Sequence, residues 1–371
     1  MRRNIDALEY EDWLFLELYY AYLEARRGKR NTADEYKFEI NWFENLVNLR
    51  DGIISRSYRP SRGIAFITRR PVVREIFAAP FRDRVVHHFL CDLVMDWWDD
   101  HLQPDSYSCR IQKGTLYGIR RLQKRIWNIS EGYKQPTYVA LLDIQGYFMS
   151  LKRELLFERA MWGANRQFAG NKPMLDLVQF LWEQIIFDDP IKDVTKRGRS
   201  SDWDLLPASK SLFNQPSGQG IVIGNLTSQL LSNVYLDQLD RFVRYNLGYE
   251  AYGRYVDDFY IVAPASQLNK LQRDITAIEK YLRSIGLTLH PKKRKIVDVN
   301  KGVPFLGAVI YPGHTVPSKR FKKNFYETAE AVMMGRKGPE SIVSYLGHGK
   351  HMNSSRLEMR IFEKMGWVYR F

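Results

Sequence analysis

Residues 251–264 read AYGRYVDDFYIVAP. Two short runs of aromatic, β-branched and small residues flank the acid pair Asp257 and Asp258, the pattern of two strands joined by a tight turn that carries both aspartates. A solvated hairpin explains such a turn just as simply, because Asp favours turns for local reasons. The string Tyr-x-Asp-Asp also arises by composition in roughly one chain in ten of this size, so its surroundings must decide. Upstream, residues 137–148, TYVALLDIQGYF, form a nearly continuous apolar run that ends at Asp143. A run of that kind reads as a strand buried on both faces. If the three strands are neighbours in one antiparallel sheet, Asp143, Asp257 and Asp258 converge at one edge. A buried unpaired carboxylate is costly, and three of them meet the requirement for holding two Mg²⁺ ions about 4 Å apart.

Farther out, the first fifty residues repeat Leu14, Leu18, Tyr22, Phe38, Trp42 and Phe43 at helical spacing. Residues 58–82 change to short β-prone runs broken by Pro60, Gly63, Pro71 and Pro80 and interleaved with Arg59, Arg62, Arg69, Arg70, Arg74 and Arg82, a basic β-ribbon. Helices are expected over 83–100, 116–127, 151–162 and 174–187, with a surface excursion over 188–219. An apolar helix over 224–243 opens with NLTSQ, and an amphipathic helix covers 268–285. LTLHPKKRKI (287–296) and VPFLGAVIY (303–311) read as two more strands, and three short helices follow from Lys319, broken near Gly338 and at GHGKHMNSS.

The chain has 371 residues, with 56 Lys and Arg against 42 Asp and Glu, a net charge of +14 that attracts polyanions and makes nucleic acid the leading partner. Two cysteines, Cys91 and Cys109, cannot build a disulfide framework or a four-cysteine zinc site, which fits a reducing compartment. No apolar run approaches the ~18 residues of a membrane span, and no apolar core follows the basic start. The expectation is a soluble, cytoplasmic protein. His87 and His88 lack further ligands at usable spacing and are expected to be packed or surface residues rather than metal ligands.

YVDD at 255–258, preceded by the LLDIQGYF strand, resembles the palm of a reverse transcriptase. VREIFAAPFRDRVVHHFL (73–90) and SYSCRIQKGT (106–115) resemble the fingers motifs of that family, LHPKKRKI its lysine-bearing segment, and VPFLG its primer-grip hairpin, all in the family's order. IGNLTSQ (223–229) is more specific. Most bacterial and group II intron enzymes have Gln-Gly-x-x-x-Ser-Pro there, whereas reverse transcriptases of diversity-generating retroelements have an aliphatic residue for that Gln and a Gln for that Pro, as Ile223 and Gln229 stand here. DWDLLPASKSLF (202–213) and SYLGHGKHMN (344–353) are similar to the same subgroup.

The resemblance implies an α+β, right-hand polymerase: N-terminal helices and fingers over 1–135, palm over 136–160, an insertion over 161–215, palm again over 216–312, and a short helical thumb over 313–371. Asp143 and Asp257 would bridge two Mg²⁺ ions, with the Ile144 carbonyl as a backbone ligand, Asp258 nearer the primer end, and Mn²⁺ as an in vitro substitute. Phe148 stands where the family excludes a 2′-hydroxyl, which implies dNTP substrates. Arg74, with Arg69 or Arg70, is expected on the triphosphate, since a guanidinium forks onto phosphate oxygens. Ile223 and Gly224 would line the nucleotide, and Lys293 corresponds to the lysine that protonates departing pyrophosphate, unless 292–295 is a plain phosphate-binding stripe. Arg110, Lys113, Gln229, Phe305, Leu306, Gly307, Lys319 and Arg320 are the expected template and primer contacts.

The function implied is RNA-directed synthesis of error-prone, adenine-mutagenised cDNA from a retroelement template RNA, diversifying a target gene. The partners implied are template RNA, cDNA and target DNA, dNTPs and a small basic oligomeric accessory protein, with no membrane. No aspartate follows Asp298, so no RNase H-like nuclease is expected, and HGKH at 348–351 reads as a thumb loop rather than a metal site. The alternatives are a group II intron-like or domesticated reverse transcriptase and a catalytically inactive nucleic-acid scaffold. The intact aspartates oppose the scaffold, because acids repel phosphate.

Overall fold

The computed structural model describes residues 9–27, 32–69 and 72–366. In chain order, the elements are α1 (Tyr10–Ala25), α2 (Ala33–Ile40), α3 (Trp42–Ile54), β1 (Gly63–Thr68), β2 (Arg74–Ala78), α4 (Phe81–His101), α5 (Thr115–Ile129), β3 (Thr137–Asp143), α6 (Tyr147–Ser150), α7 (Arg153–Gln167), α8 (Lys172–Ile186) and β4 (Val194–Arg197). They continue with α9 (Leu226–Arg241), β5 (Tyr252–Tyr255), β6 (Asp258–Pro264), α10 (Leu268–Ser284), β7 (Lys295–Asp298), β8 (Val303–Phe305), β9 (Ala308–Tyr311), β10 (His314–Pro317), α11 (Lys319–Met333), α12 (Glu340–Gly349) and α13 (Ser355–Lys364). The fold is a mixture of helices and largely antiparallel sheets, the α+β class read from the sequence. No helix among the described residues is long and apolar enough to cross a membrane.

The chain forms two compact units. The first comprises Met1–Leu102, Gly146–Gln238 and Ser284–Leu287. Its sheet has the order β2-β1-β4, with β1 and β2 an antiparallel hairpin in register from Ile64↔Ala78 to Thr68↔Arg74. β4 adds in parallel, Gly63 opposite Val194. Residues 188–219 therefore do more than cross the surface: β4 completes the sheet, and the turns after it are anchored to β2. The four residues VTKR carry no apolar alternation, which hid this strand from the sequence reading. Helices bury the faces that their spacing predicts, such as Trp13, Leu14, Leu18, Ala21 and Tyr22 on α1. Asn171 starts α8 by accepting the Met174 amide at 3.2 Å.

The second unit comprises Gln103–Gln145, Leu239–Arg283 and Thr288–Phe371. Its four-stranded sheet runs β5-β6-β3-β7, antiparallel throughout. β3 is flanked by β6 and β7, as a strand made of YVALL should be. Ile119, Leu122 and Ile126 of the strongly amphipathic α5 pack with Val139, Tyr260 and Val303 in one core. LTLHPKKRKI is not one strand. Only Lys295–Asp298 joins the sheet, and Leu289 makes an isolated bridge to Ile144, because Pro291 and the cationic run between them interrupt pairing. VPFLGAVIY is likewise a hairpin, β8 and β9, whose register of Phe305 to Ala308 leaves Leu306 and Gly307 as the turn. α12 runs through Gly349, so the break of the GHGKHMNSS stretch falls after it. α11, α12 and α13 close on a core of Phe325, Ala329, Ile342, Leu357 and Ile361.

Candidate active site

The register of the second unit's sheet builds the site. Asp143, the last residue of β3, lies opposite Asp258, the first of β6. Tyr255 pairs with Asp258, so the two-residue turn is Val256–Asp257. Asp258 thus begins a strand instead of sitting in the turn, a correction to the sequence reading that follows from the two-residue hairpin loop. The Ile144 amide donates to the Asp257 carbonyl at 3.2 Å, stitching the end of β3 to the turn. Asp143, Ile144, Asp257 and Asp258 are therefore brought together by backbone pairing at one sheet edge.

Lys293 reaches the same edge, its Nζ 2.6 Å from an Oδ of Asp143. The loop that carries it is fixed by the His290 amide donating to the Asp143 carbonyl at 2.7 Å. Surrounding protein disfavours the ammonium, but the bond to Asp143 and the charges of Asp143, Asp258 and Asp257 outweigh this and raise the Lys293 pKa. Asp258 is exposed at the start of β6. Even so, desolvation, then the charge of Asp257 and the hydrogen bond and charge of Asp143, push its carboxyl up to about 7 against the opposing pull of Lys293.

Among the described residues, no three His, Cys, Asp or Glu side chains stand close enough to form a ready-made cation cage. Three carboxylates on one edge, with an ammonium already seated on one of them, are nevertheless a donor set that suits a hard divalent cation. Asp143, Asp257 and Asp258 are the residues that would hold it.

In the first unit, Phe148 is half-buried and, like Ile223, packs against the cluster of Ala65, Phe77, Met149 and Leu212. The Ile223 carbonyl accepts the Phe77 amide at 3.0 Å. Gly224, at φ +138°, passes so close to the Phe77 carbonyl that a Cβ would collide with it. Arg74 is exposed at the start of β2, and Arg69 is ion-paired with Asp202. Arg70 lies outside the described residues. Gln229 is exposed on α9.

In the second unit, Arg110 donates to the Gln103 carbonyl at 2.7 Å and Lys113 to the Pro104 carbonyl at 3.1 Å, so both help shape their own loop. Phe305 is buried in the core, and the Leu306–Gly307 turn takes φ +48° and +87°. Lys319 and Arg320 are exposed on the first turn of α11, where the helix dipole repels cations, so external anions are the partners that suit them. His87 is buried with its Nδ1 2.9 Å from Thr227 Oγ1, a packed histidine as expected. Cys91 is a buried free thiol and Cys109 an exposed one.

Two features escaped the sequence reading. Glu75, beside Arg74 on β2, is buried and accepts from Trp203 Nε1 at 2.8 Å, Ser211 Oγ at 2.9 Å and the Leu212 amide at 2.6 Å. Arg254 is buried on β5 against Asp240. An arginine inside the apolar strand AYGRYV was the available signal, since a buried guanidinium requires a carboxylate.

Residues 82–310 match the family model described as reverse transcriptase (RNA-dependent DNA polymerase). The chain belongs to the reverse transcriptase family. Its reverse transcriptase domain is that of an RNA-directed DNA polymerase, a nucleotidyltransferase. The chain is similar to Protein YkfC of Escherichia coli (strain K12), 24% identical over 300 residues, covering 71% of this chain and 70% of that protein. It also resembles, with a TM-score of 0.50 and 11% identity, the telomerase from Candida albicans solved in complex with a TWJ fragment of telomeric RNA. That match covers 84% of this chain, which spans 57% of the telomerase chain. The likeness is one of fold. It agrees with a mixed helix-and-sheet polymerase architecture for this reverse transcriptase.

Proposed function

We propose that the protein is the reverse transcriptase of a diversity-generating retroelement, which copies a template RNA into adenine-mutagenised cDNA from dNTPs. The observation that carries the reading is Ile223 in IGNLTSQ, packed against the same core cluster as Phe148. An alkyl group there can offer no amide hydrogen bond to a nascent base pair, so mispairs are rejected by shape alone. The fingers, palm and thumb ranges, the cytoplasmic location and the small basic oligomeric accessory protein belong to this reading.

Asp143 and Asp257 would hold the cations, with the Ile144 carbonyl offering a further oxygen, and Asp258 would lie toward the primer end. Bound Mg²⁺ would supply the charge that activates a primer 3′-hydroxyl and neutralises the leaving pyrophosphate. Lys293 is held at the same edge to deliver a proton to that pyrophosphate. Arg74 donates to the triphosphate, and Arg69 can join it only by exchanging Asp202 for a phosphate. Phe148 fills the space beside the sugar, while Arg110, Lys113, Gln229, the 305–307 turn, Lys319 and Arg320 track template and primer.

The test is primer extension on an RNA template with dNTPs and Mg²⁺, followed by sequencing of the cDNA. Wild type should extend with errors concentrated opposite adenine, Asp257→Asn should lose extension while still binding RNA, and Ile223→Gln should lower the adenine errors without stopping synthesis. Extension with an even error spectrum in both active proteins would favour the group II intron-like alternative, and full extension by Asp257→Asn would remove the metal assignment.

A further inference from the structure

Val256 takes φ +56°, a left-handed conformation that β-branched residues rarely adopt. Strain of this kind persists only where neighbouring groups over-determine the backbone. Arg254, two residues earlier, supplies the restraint. Its side chain is fully buried, its Nη1 donates to the Val256 carbonyl at 3.0 Å, and its Nη2 donates to Ser106 Oγ at 3.2 Å. Nε and Nη2 grip the two carboxylate oxygens of Asp240 at 2.7 Å each, and Tyr252 donates its hydroxyl to the same carboxylate at 2.5 Å.

A fork-to-fork pair fixes the guanidinium plane as well as its position. The remaining N–H groups therefore point in fixed directions, and one of them holds the peptide that joins Val256 to Asp257. The next carbonyl, that of Asp257, is held by the Ile144 amide at 3.2 Å. Both carbonyls of the turn are thus tied down, one from beneath by a buried side chain and one from the neighbouring strand.

A buried ion pair is a poor source of net stability, since desolvation offsets its attraction and an apolar pair of similar volume does as well or better. Its directional donors are what an apolar pair lacks. We propose that Arg254, locked by Asp240, is a positioning residue that fixes the Val256–Asp257 peptide and so sets the angle at which Asp257 meets Asp143 and Asp258. The inference rests on the polymerase reading of those three aspartates.

The test replaces the buried cluster with apolar groups, Arg254→Met, Asp240→Leu and Tyr252→Phe together, leaving no uncompensated charge. The variant should fold with a Tm close to or above that of wild type. In the metal-free protein, amide exchange over 256–259 should accelerate about 10-fold or more, and the Mg²⁺ concentration for half-maximal primer extension should rise about 10- to 100-fold, as when outer partners of metal ligands are lost. If the triple variant does not fold, Arg254→Lys keeps the charge pair but cannot fork onto Asp240 and reach Val256, and the same two shifts are expected. A folded variant with wild-type exchange and wild-type Mg²⁺ response overturns the proposal. Lack of extension by wild type itself would instead remove the polymerase reading, while the exchange measurement still judges the strut.

Discussion

Lys293 and Asp143 stand 150 residues apart in the chain, yet their charged groups are 2.6 Å apart. This ammonium neutralises part of a three-carboxylate edge. Because its pKa is raised, first opposed by desolvation and then driven up by Asp143, Asp258 and Asp257, it stays charged through neutral pH, and its contribution is lost only as pH rises through that raised pKa. Lys293→Gln should destabilise the metal-free protein by no more than about 1 kcal/mol, since the side chain is largely solvated. It should slow primer extension by about 10²-fold at saturating Mg²⁺, the scale of a lost proton donor. Urea melts and single-turnover kinetics check both numbers, and an unimpaired rate would leave Lys293 as a counterion alone.

Phe148→Ala should have two separable effects. Removing a half-buried ring from the cluster with Ile223 and Phe77 should cost about 1–2 kcal/mol. With Phe148 in the sugar-facing role proposed above, the lost ring should also raise rNTP incorporation relative to dNTP. Competition between the two nucleotides reads the second effect, and unchanged discrimination would return Phe148 to a packing role.

Glu75 anchors residues 203–212 to β2 through three donors. Glu75→Ala leaves Trp203, Ser211 and the Leu212 amide without that acceptor and should cost about 2–4 kcal/mol. The released segment should become the first site of limited proteolysis. Cleavage elsewhere, with wild-type stability, would show that the parallel pairing of β4 with β1 suffices to hold it.

Burial, followed by the charges of His88 and Arg84, lowers the pKa of His87 from 6.5 to about 3. The unfolded chain therefore takes up this proton first as pH falls, and stability present above pH 6.5 is lost progressively toward pH 3. By about pH 5 the loss is about 2 kcal/mol. His87→Gln, which does not titrate, should gain on wild type by that amount between about pH 7 and 5 in urea melts. A stability difference that does not move with pH would contradict the depressed value.

The sequence by itself determined the chemistry and its order. Apolar runs and their length placed a strand ending at Asp143 and two strands flanking the Asp257–Asp258 pair, helical spacing placed α1, α5 and α10, and the acid residues at strand ends marked the candidate site. These are local properties, set by which faces of a segment must leave water. What only the tertiary structure decided is pairing. The register that faces Asp143 with Asp258 depends on two strands more than a hundred residues apart, and the two-residue turn that moved Asp258 into a strand depends on which residues of β5 and β6 are partners. β4 carries no pattern of its own and exists because β1 offers it an edge. Arg254 with Asp240, and Glu75 with Ser211, are long-range partnerships of buried polar groups. Their residue types announce a need for a partner, but only the folded chain supplies one, because hydrogen bonding is satisfied in space rather than along the sequence.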